Sequence, residues 1–200
     1  MRAVYGAGSR VLPRCRAGRG GERTTDLGSS GGAVAVHALI LGGARSGKSA
    51  LAERLVSSLG GVRVLYVATA IIGEDEDLRR RVRLHRDRRP AGWGSLEVGN
   101  LEEVLKAAEQ WNAVLIDSLT LWVSAREQDQ VLPEFEDFLA GAEALAVPFV
   151  LVSDEVGLGV VPGSAAGRSF RDQLGLVNQQ AAAAAEEVHL CVAGVGLRIK

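Results

Sequence analysis

Eight consecutive residues, Gly42-Gly43-Ala44-Arg45-Ser46-Gly47-Lys48-Ser49, limit what this chain can fold into more than any other segment. Their spacing is G-x-x-x-x-G-K-S, and they stand directly after an apolar run and directly before an amphipathic one. Strand, glycine-rich turn and helix in that order form a phosphate cradle. The glycines let the backbone curl until successive N–H groups face one concavity, and the helix N-terminus adds its positive end. In such a cradle Lys48 reaches the β- and γ-phosphates of a nucleotide and the Ser49 hydroxyl ligates Mg²⁺. The alternative is a strand-to-helix turn that binds nothing, and a complete motif with both flanks in place outweighs it.

From Val34 onward, short apolar runs alternate with helical patterns, which is the signature of βαβ units stacked around a mostly parallel sheet. The expected strands are Val34–Leu41, Val62–Thr69, Ala113–Asp117, Pro148–Ser153 and Val188–Ala193. Between them the spacing predicts helices over Lys48–Leu59, Glu74–Arg89, Leu101–Gln110, Pro133–Ala146 and Ala165–Glu187. Gly60-Gly61 suits a helix end, Asn100 with Glu103 a capping box, and Pro133 a first helical position. The fold class is therefore α/β, with helices on both faces of the sheet. Gly194 and Gly196, between Val188–Ala193 and Leu197–Lys200, predict a closing C-terminal hairpin. Right-handed crossovers would align the C-terminal strand ends along one edge, where open α/β sheets bind ligands.

Two hundred residues, 47% hydrophobic and 24% charged, are enough for one domain with a real core. The formal net charge of −1 supplies no global field to hold nucleic acid or an anionic membrane, so an anion must be gripped locally. Cys15 and Cys191 form neither a disulfide framework nor a metal-ligand spacing, which makes a reducing cytoplasm the expected location. No apolar run approaches the roughly 20 residues of a membrane span. Residues 1–33 carry eight glycines and six arginines without hydrophobic periodicity, and are expected to be a disordered N-terminal extension to the catalytic domain 34–200. Met1 is the only methionine, and a later translation start near Val34 or Val36 is favoured over a targeting role.

Asp117 closes the apolar run Ala113-Val114-Leu115-Ile116. A carboxylate there can hold the metal ion or a water in its shell, and it also suits a cap on a following helix. The segment Glu74–Pro90 places acids first and bases after, as the helix dipole favours, so the arginines from Arg79 to Arg83 read equally well as a solvated face. Within it His85 falls on the inward stripe with Val82 and Leu78. Such a histidine is either a satisfied structural residue or a nucleophile whose neutral ring nitrogen attacks phosphorus near pH 7. Periodicity alone favours the structural role.

The ordered set of segments resembles the bifunctional adenosylcobinamide kinase/adenosylcobinamide-phosphate guanylyltransferase family of cobalamin biosynthesis, over Ala38–Lys200. The resemblance rests on the cradle, Val64-Leu65-Tyr66-Val67-Ala68-Thr69-Ala70, His85-Arg86-Asp87-Arg88-Arg89-Pro90 with Trp93, and Asp154-Glu155-Val156-Gly157 with Gly159 and Pro162. Phe170-Arg171-Asp172, Gly175, Asn178-Gln179 and the terminal Gly194-Val195-Gly196-Leu197-Arg198-Ile199-Lys200 complete it.

This resemblance implies a RecA-like sheet, a homotrimer and two reactions. ATP or GTP phosphorylates the aminopropanol hydroxyl of adenosylcobinamide. GMP from GTP then passes through a guanylyl-histidine to adenosylcobinamide phosphate, giving adenosylcobinamide-GDP. His85 matches that histidine, which reverses the preference drawn from periodicity, and Lys48 joins it as the second catalytic residue. Nucleotide contacts carry over to Gly42, Gly43, Ala44, Arg45, Ser46, Gly47, Lys48 and Ser49, to Ala68, Thr69 and Ala70, to Arg86, Asp87, Arg88 and Arg89, and to Glu97 and Asp117. Ser49 and Asp117 would hold the Mg²⁺.

The sequence departs from the family where Leu84 precedes His85 in place of a second histidine, where Arg88 replaces a glycine, and where Asp117 replaces a common glutamate. The stretch Ser124–Pro133 is also short. The rival expectations are a monofunctional P-loop kinase with a structural His85, and a nucleotide-dependent binding or switch protein. The latter lacks both the Asn-Lys-x-Asp and the Asp-x-x-Gly runs that would support it.

Overall fold

The structure, a computed structural model, describes residues 36–69 and 90–200. The expected N-terminal extension over 1–33, the helix Glu74–Arg89 and the site residues Ala70, His85, Arg86, Asp87, Arg88 and Arg89 lie outside the described residues.

Seven strands among the described residues form one sheet: β1 Val36–Gly42, β2 Val64–Ala68, β3 Gly94–Glu97, β4 Ala113–Asp117, β5 Phe149–Asp154, β6 Ala185–Val192 and β7 Val195–Arg198. Their order across the sheet is β3-β2-β4-β5-β1-β6-β7, parallel throughout except for the antiparallel β6–β7 pair. This is the expected RecA-like arrangement, in which β5 is inserted between the cradle strand β1 and the acidic strand β4.

The central strands are apolar on both faces because both faces are covered: all five residues of β2 and the first four of β4 are buried. Helix α1, Lys48–Gly60, packs Ala52 and Val56 on one face with Ile40, Leu115 and Val150. On the other face lie α2 Leu101–Ala108, α3 Leu119–Ser124, α4 Gln128–Ala144 and α5 Ala165–Ala184. Leu174, Val177 and Ala181 of α5 repeat at helical spacing, and they join the core cluster that contains Leu39 and Leu151. The rings of Trp122, Phe135, Phe138 and Phe149 run through that layer with successive centroids 5.5–5.9 Å apart.

Several boundaries move from their expected places, each for a physical reason. β3 has only four residues and alternates half-buried with exposed positions, which leaves it below the strand pattern. The six-residue α3 is too short to show helical periodicity. Helix α4 begins at Gln128, so Pro133 sits inside it and withholds the N–H that would have closed on the Asp129 carbonyl. The alanine-rich end of α5 stops at Ala184, because Ala185 and Glu187 are already paired with Val36 and Ala38 of β1. Tertiary pairing overrides the helical preference of that run. Gly61 ends α1 at φ 59° as expected, and Asn100 is the N-cap of α2, its side chain accepting from the Glu102 N–H at 2.8 Å in place of the expected box with Glu103.

Candidate active site

The registers bring those predicted site residues that lie among the described residues to one edge. Ala68 at the end of β2 is level with Glu97 of β3 on one side and Asp117 of β4 on the other. Asp117 is level with Val152, and Asp154, two residues further along β5, is level with Gly42 at the end of β1. The C-terminal ends of five parallel strands thus carry Glu97, Ala68, Asp117, Asp154 and Gly42 in spatial order. Thr69 follows on the same edge.

The cradle is built as its glycines require. At Gly47 the backbone has φ 94°, and a Cβ there would stand 3.0 Å from the Gly194 Cα. A Cβ on Gly42 would meet the Ser46 Oγ at 2.5 Å and the Cys191 carbonyl oxygen at 2.6 Å. The loop is tied from within and from without. The Ser46 N–H donates to the Gly43 carbonyl at 3.2 Å, the Glu155 N–H to the Gly42 carbonyl at 3.2 Å, and the Gly194 N–H to the Ser46 carbonyl at 2.8 Å. Gly43, Ala44 and Arg45 remain exposed, so the concavity opens to solvent. At the start of α1, the N–H groups of Lys48 and Ser49 have no acceptor within the helix and are available to an anion.

Lys48 is gripped rather than free. Its Nζ donates to the Gly43 carbonyl at 3.2 Å and pairs with Asp154 Oδ1 at 2.5 Å, and its side chain is 12% exposed. Asp154 is itself fixed through its backbone: its N–H donates to Thr120 Oγ1 at 2.7 Å and its carbonyl accepts from Asn178 Nδ2 at 3.2 Å. Across β5, Asp117 Oδ2 accepts from the Tyr66 hydroxyl at 3.0 Å. Thr69 joins the two strand ends, since its Oγ1 donates to the Ser118 carbonyl at 2.5 Å and accepts from the Ser118 N–H at 3.2 Å. The helix that follows β4 starts after Ser118, so Asp117 belongs to the strand and does not occupy the cap position.

Three residues of the site stand in the family-like segments but are given no role by the sequence reading. Asp154 carries the same signal as Asp117, a carboxylate ending an apolar strand, but the apolar pattern closes that strand one residue early, at Ser153. Tyr66 reads as one more buried strand residue. Gly194 reads only as hairpin, although its N–H braces the cradle. Cys191, level with Gly42, is buried, and that burial pushes its thiol above the ordinary range in spite of Lys48 and Arg54; it is a packing residue here.

The family model described as "Cobinamide kinase / cobinamide phosphate guanyltransferase" matches residues 38–199. The bifunctional adenosylcobalamin biosynthesis protein CobU of Salmonella typhimurium is 36% identical over 181 residues, covering 81% of this chain and 98% of that protein. The protein of the same name from Escherichia coli is 39% identical over 182 residues, with the same two coverages. The bifunctional adenosylcobalamin biosynthesis protein CobP of Pseudomonas aeruginosa is 40% identical over 168 residues, 81% of this chain and 96% of that protein.

Proposed function

Because this chain belongs to the cobinamide kinase / cobinamide phosphate guanyltransferase family, we propose that its two reactions share the cradle Gly42–Ser49 and that a guanylyl group rests on His85 during the second. The enzyme is a transferase of cobalamin biosynthesis, acting as cobinamide kinase and as guanylyltransferase on the phosphorylated product.

In the kinase reaction the aminopropanol hydroxyl oxygen attacks the γ-phosphorus of ATP or GTP, the bond to the β-γ bridging oxygen breaks, and the nucleoside diphosphate leaves. In the guanylyltransferase reaction a ring nitrogen of His85 attacks the α-phosphorus of GTP and pyrophosphate departs. An oxygen of adenosylcobinamide phosphate then attacks the same phosphorus, the N–P bond breaks, and adenosylcobinamide-GDP is released. Lys48 and the main-chain N–H groups of the cradle hold the β- and γ-phosphates in both reactions, and they neutralise the charge that gathers on the leaving group. Arg86, Asp87, Arg88 and Arg89, with Ala68, Thr69, Ala70 and Glu97, complete the nucleotide contacts in this reading. The observation that carries it is the shared edge. Lys48 is gripped beside Asp154, Asp117 stands one strand away, and the chain leaves that edge at Thr69 to enter the segment that contains His85.

The residues present suit a Mg²⁺ ion. The Ser46 Oγ is buried without a hydrogen-bond partner among the described residues, Ser49 supplies a hydroxyl in the first turn of α1, and only one oxygen of Asp117 is engaged by Tyr66. A hydroxyl and a carboxylate joined by substrate phosphates are the donors this ion prefers, so Ser49 and Asp117 would hold it. When bound, it neutralises phosphate charge and orients the triphosphate. We further assign the enzyme to the cytoplasm as a homotrimer, on the family resemblance and on two cysteines that form no disulfide framework. No helix of the described residues is long and apolar enough to cross a membrane.

The test is an assay of the purified protein with adenosylcobinamide. ATP alone should give adenosylcobinamide phosphate, and added GTP should convert it to adenosylcobinamide-GDP with release of pyrophosphate. Phosphorylated product that accumulates unchanged in the presence of GTP would leave a monofunctional kinase.

A further inference from the structure

Three nucleophiles take part in the proposed reactions, and only one carries a proton that must be lost as it attacks. The imidazole of His85 attacks through a lone pair, and the phosphate of the intermediate arrives already ionised. The alcohol of adenosylcobinamide does not, so the kinase step alone calls for a general base close to the γ-phosphorus. That base should lie near the end of Lys48, because a P-loop lysine reaches the β- and γ-phosphates.

Asp154 meets this requirement. Its Oδ1 is 2.5 Å from Lys48 Nζ, and its side chain remains 25% exposed and thus open to a substrate. The backbone anchors to Thr120 and Asn178 hold the carboxylate at the tip of β5, level with the first glycine of the cradle. The other carboxylates at this edge are committed or distant. Asp117 is engaged by Tyr66 and assigned to the metal. Glu155 Oε1 accepts from the Gly157 N–H at 2.7 Å and holds its own turn. Glu97 lies at the end of β3, with β2, β4 and β5 between it and β1.

We infer that Asp154 is the general base of the alcohol phosphorylation and takes no proton in the guanylyl transfer. As a triphosphate enters, Lys48 exchanges its pairing with Asp154 for the β- and γ-oxygens, which leaves a carboxylate facing the γ-phosphoryl group. The hydroxyl oxygen bonds to phosphorus, its proton passes to Asp154 Oδ1, and the nucleoside diphosphate leaves with the bridging electron pair. The inference deepens the bifunctional reading and rests on it.

The experiment measures both reactions on one preparation of Asp154→Asn, with adenosylcobinamide for the first and supplied adenosylcobinamide phosphate for the second. Phosphorylation should fall by about 100-fold or more. Guanylyl transfer should fall by no more than about fivefold, since the proton-transfer contribution of about 100-fold or more is absent from it. The KM for the triphosphate should change little, because Lys48 keeps the Gly43 carbonyl as its anchor at the mouth of the cradle. Phosphorylation within about threefold of the unaltered protein overturns the inference, as a missing base costs about 100-fold or more. So does an equal loss of both reactions, which would make Asp154 a positioning residue for Lys48. Should the asparagine variant not fold, Asp154→Ala, with no amide facing Lys48 Nζ, is held to the same outcomes. Failure of guanylyl transfer in the unaltered protein would instead strike the bifunctional reading itself.

Discussion

In the proposed function, Lys48 is prepared for phosphate before any arrives. A carboxylate and a carbonyl hold its ammonium in place at the mouth of the cradle, where its charge remains paired and its side chain is mostly buried. In the proposed reactions an incoming triphosphate would exchange one anionic partner for another, with the side-chain ordering already met. The same logic applies to Asp117, whose orientation is fixed by the Tyr66 hydroxyl. If Asp117 holds the metal, Tyr66 is an outer-shell partner. Tyr66→Phe should then raise the Mg²⁺ needed for half-maximal activity by about 10-fold or more while the fold stays intact, as a metal titration would show. An unchanged titration would remove Asp117 from the metal site. Of these residues, the sequence singles out Lys48 by a complete motif and Asp117 as a carboxylate closing an apolar run, which suits either a metal site or a helix cap. The pairings of Tyr66 with Asp117 and of Asp154 with Lys48 depend on which strand lies beside which, and a linear pattern does not contain that information.

Among the elements, the C-terminal hairpin does more than close the sheet. Its turn, Ala193-Gly194, has φ 52° and 84°, the geometry of a two-residue turn that needs positive φ at both positions. Alanine is strained there, whereas asparagine adopts such a φ more readily. Ala193→Asn should raise the melting temperature by about 2 °C, the shift expected for somewhat under 1 kcal/mol in a protein of this size. A drop would contradict the turn. The strands of the hairpin are joined by Glu187, which meets His189 Nε2 at 2.9 Å and Arg198 Nη1 at 2.7 Å. The His189 hydrogen bond, more than the Arg198 charge, holds the Glu187 carboxyl below its ordinary range against a burial effect of opposite sign. A depressed carboxylate stabilises the fold above its unfolded value, about pH 4.3, and that contribution is lost as the pH falls through the lower folded value. Glu187→Gln should therefore melt earlier at pH 7, with the deficit closing on acidification below about pH 4 in a series of thermal melts. A deficit independent of pH would point to packing alone. The hairpin is legible from Gly194 and Gly196. Its contact with Ser46 is not, because a β-turn 148 residues away in sequence leaves no local mark on the cradle.

For the whole molecule, the consequence of the RecA-like order is that β5 brings a second carboxylate between the cradle and Asp117. One edge thereby carries two carboxylates, to which the proposed reactions would give separate tasks at the γ-phosphorus and the metal, on a chain whose net charge of −1 provides no general attraction for anions. The fold class, the shared edge and the family are all readable from the sequence, since the cradle fixes the edge and the ordered segments fix the family. What cannot be read is the short, half-exposed β3 and the α5–β6 boundary, where pairing with β1 outweighs a run of alanines. The proposed second reaction requires GMP to become bonded to His85. GTP labelled at either the α- or the γ-phosphate, incubated with the protein and Mg²⁺ and then denatured, decides it. Retained α-label only, stable in alkali, lost in acid and absent from His85→Ala, is the expected result; retention of neither label, or α-label that persists in His85→Ala, would rule out the guanylyl-histidine.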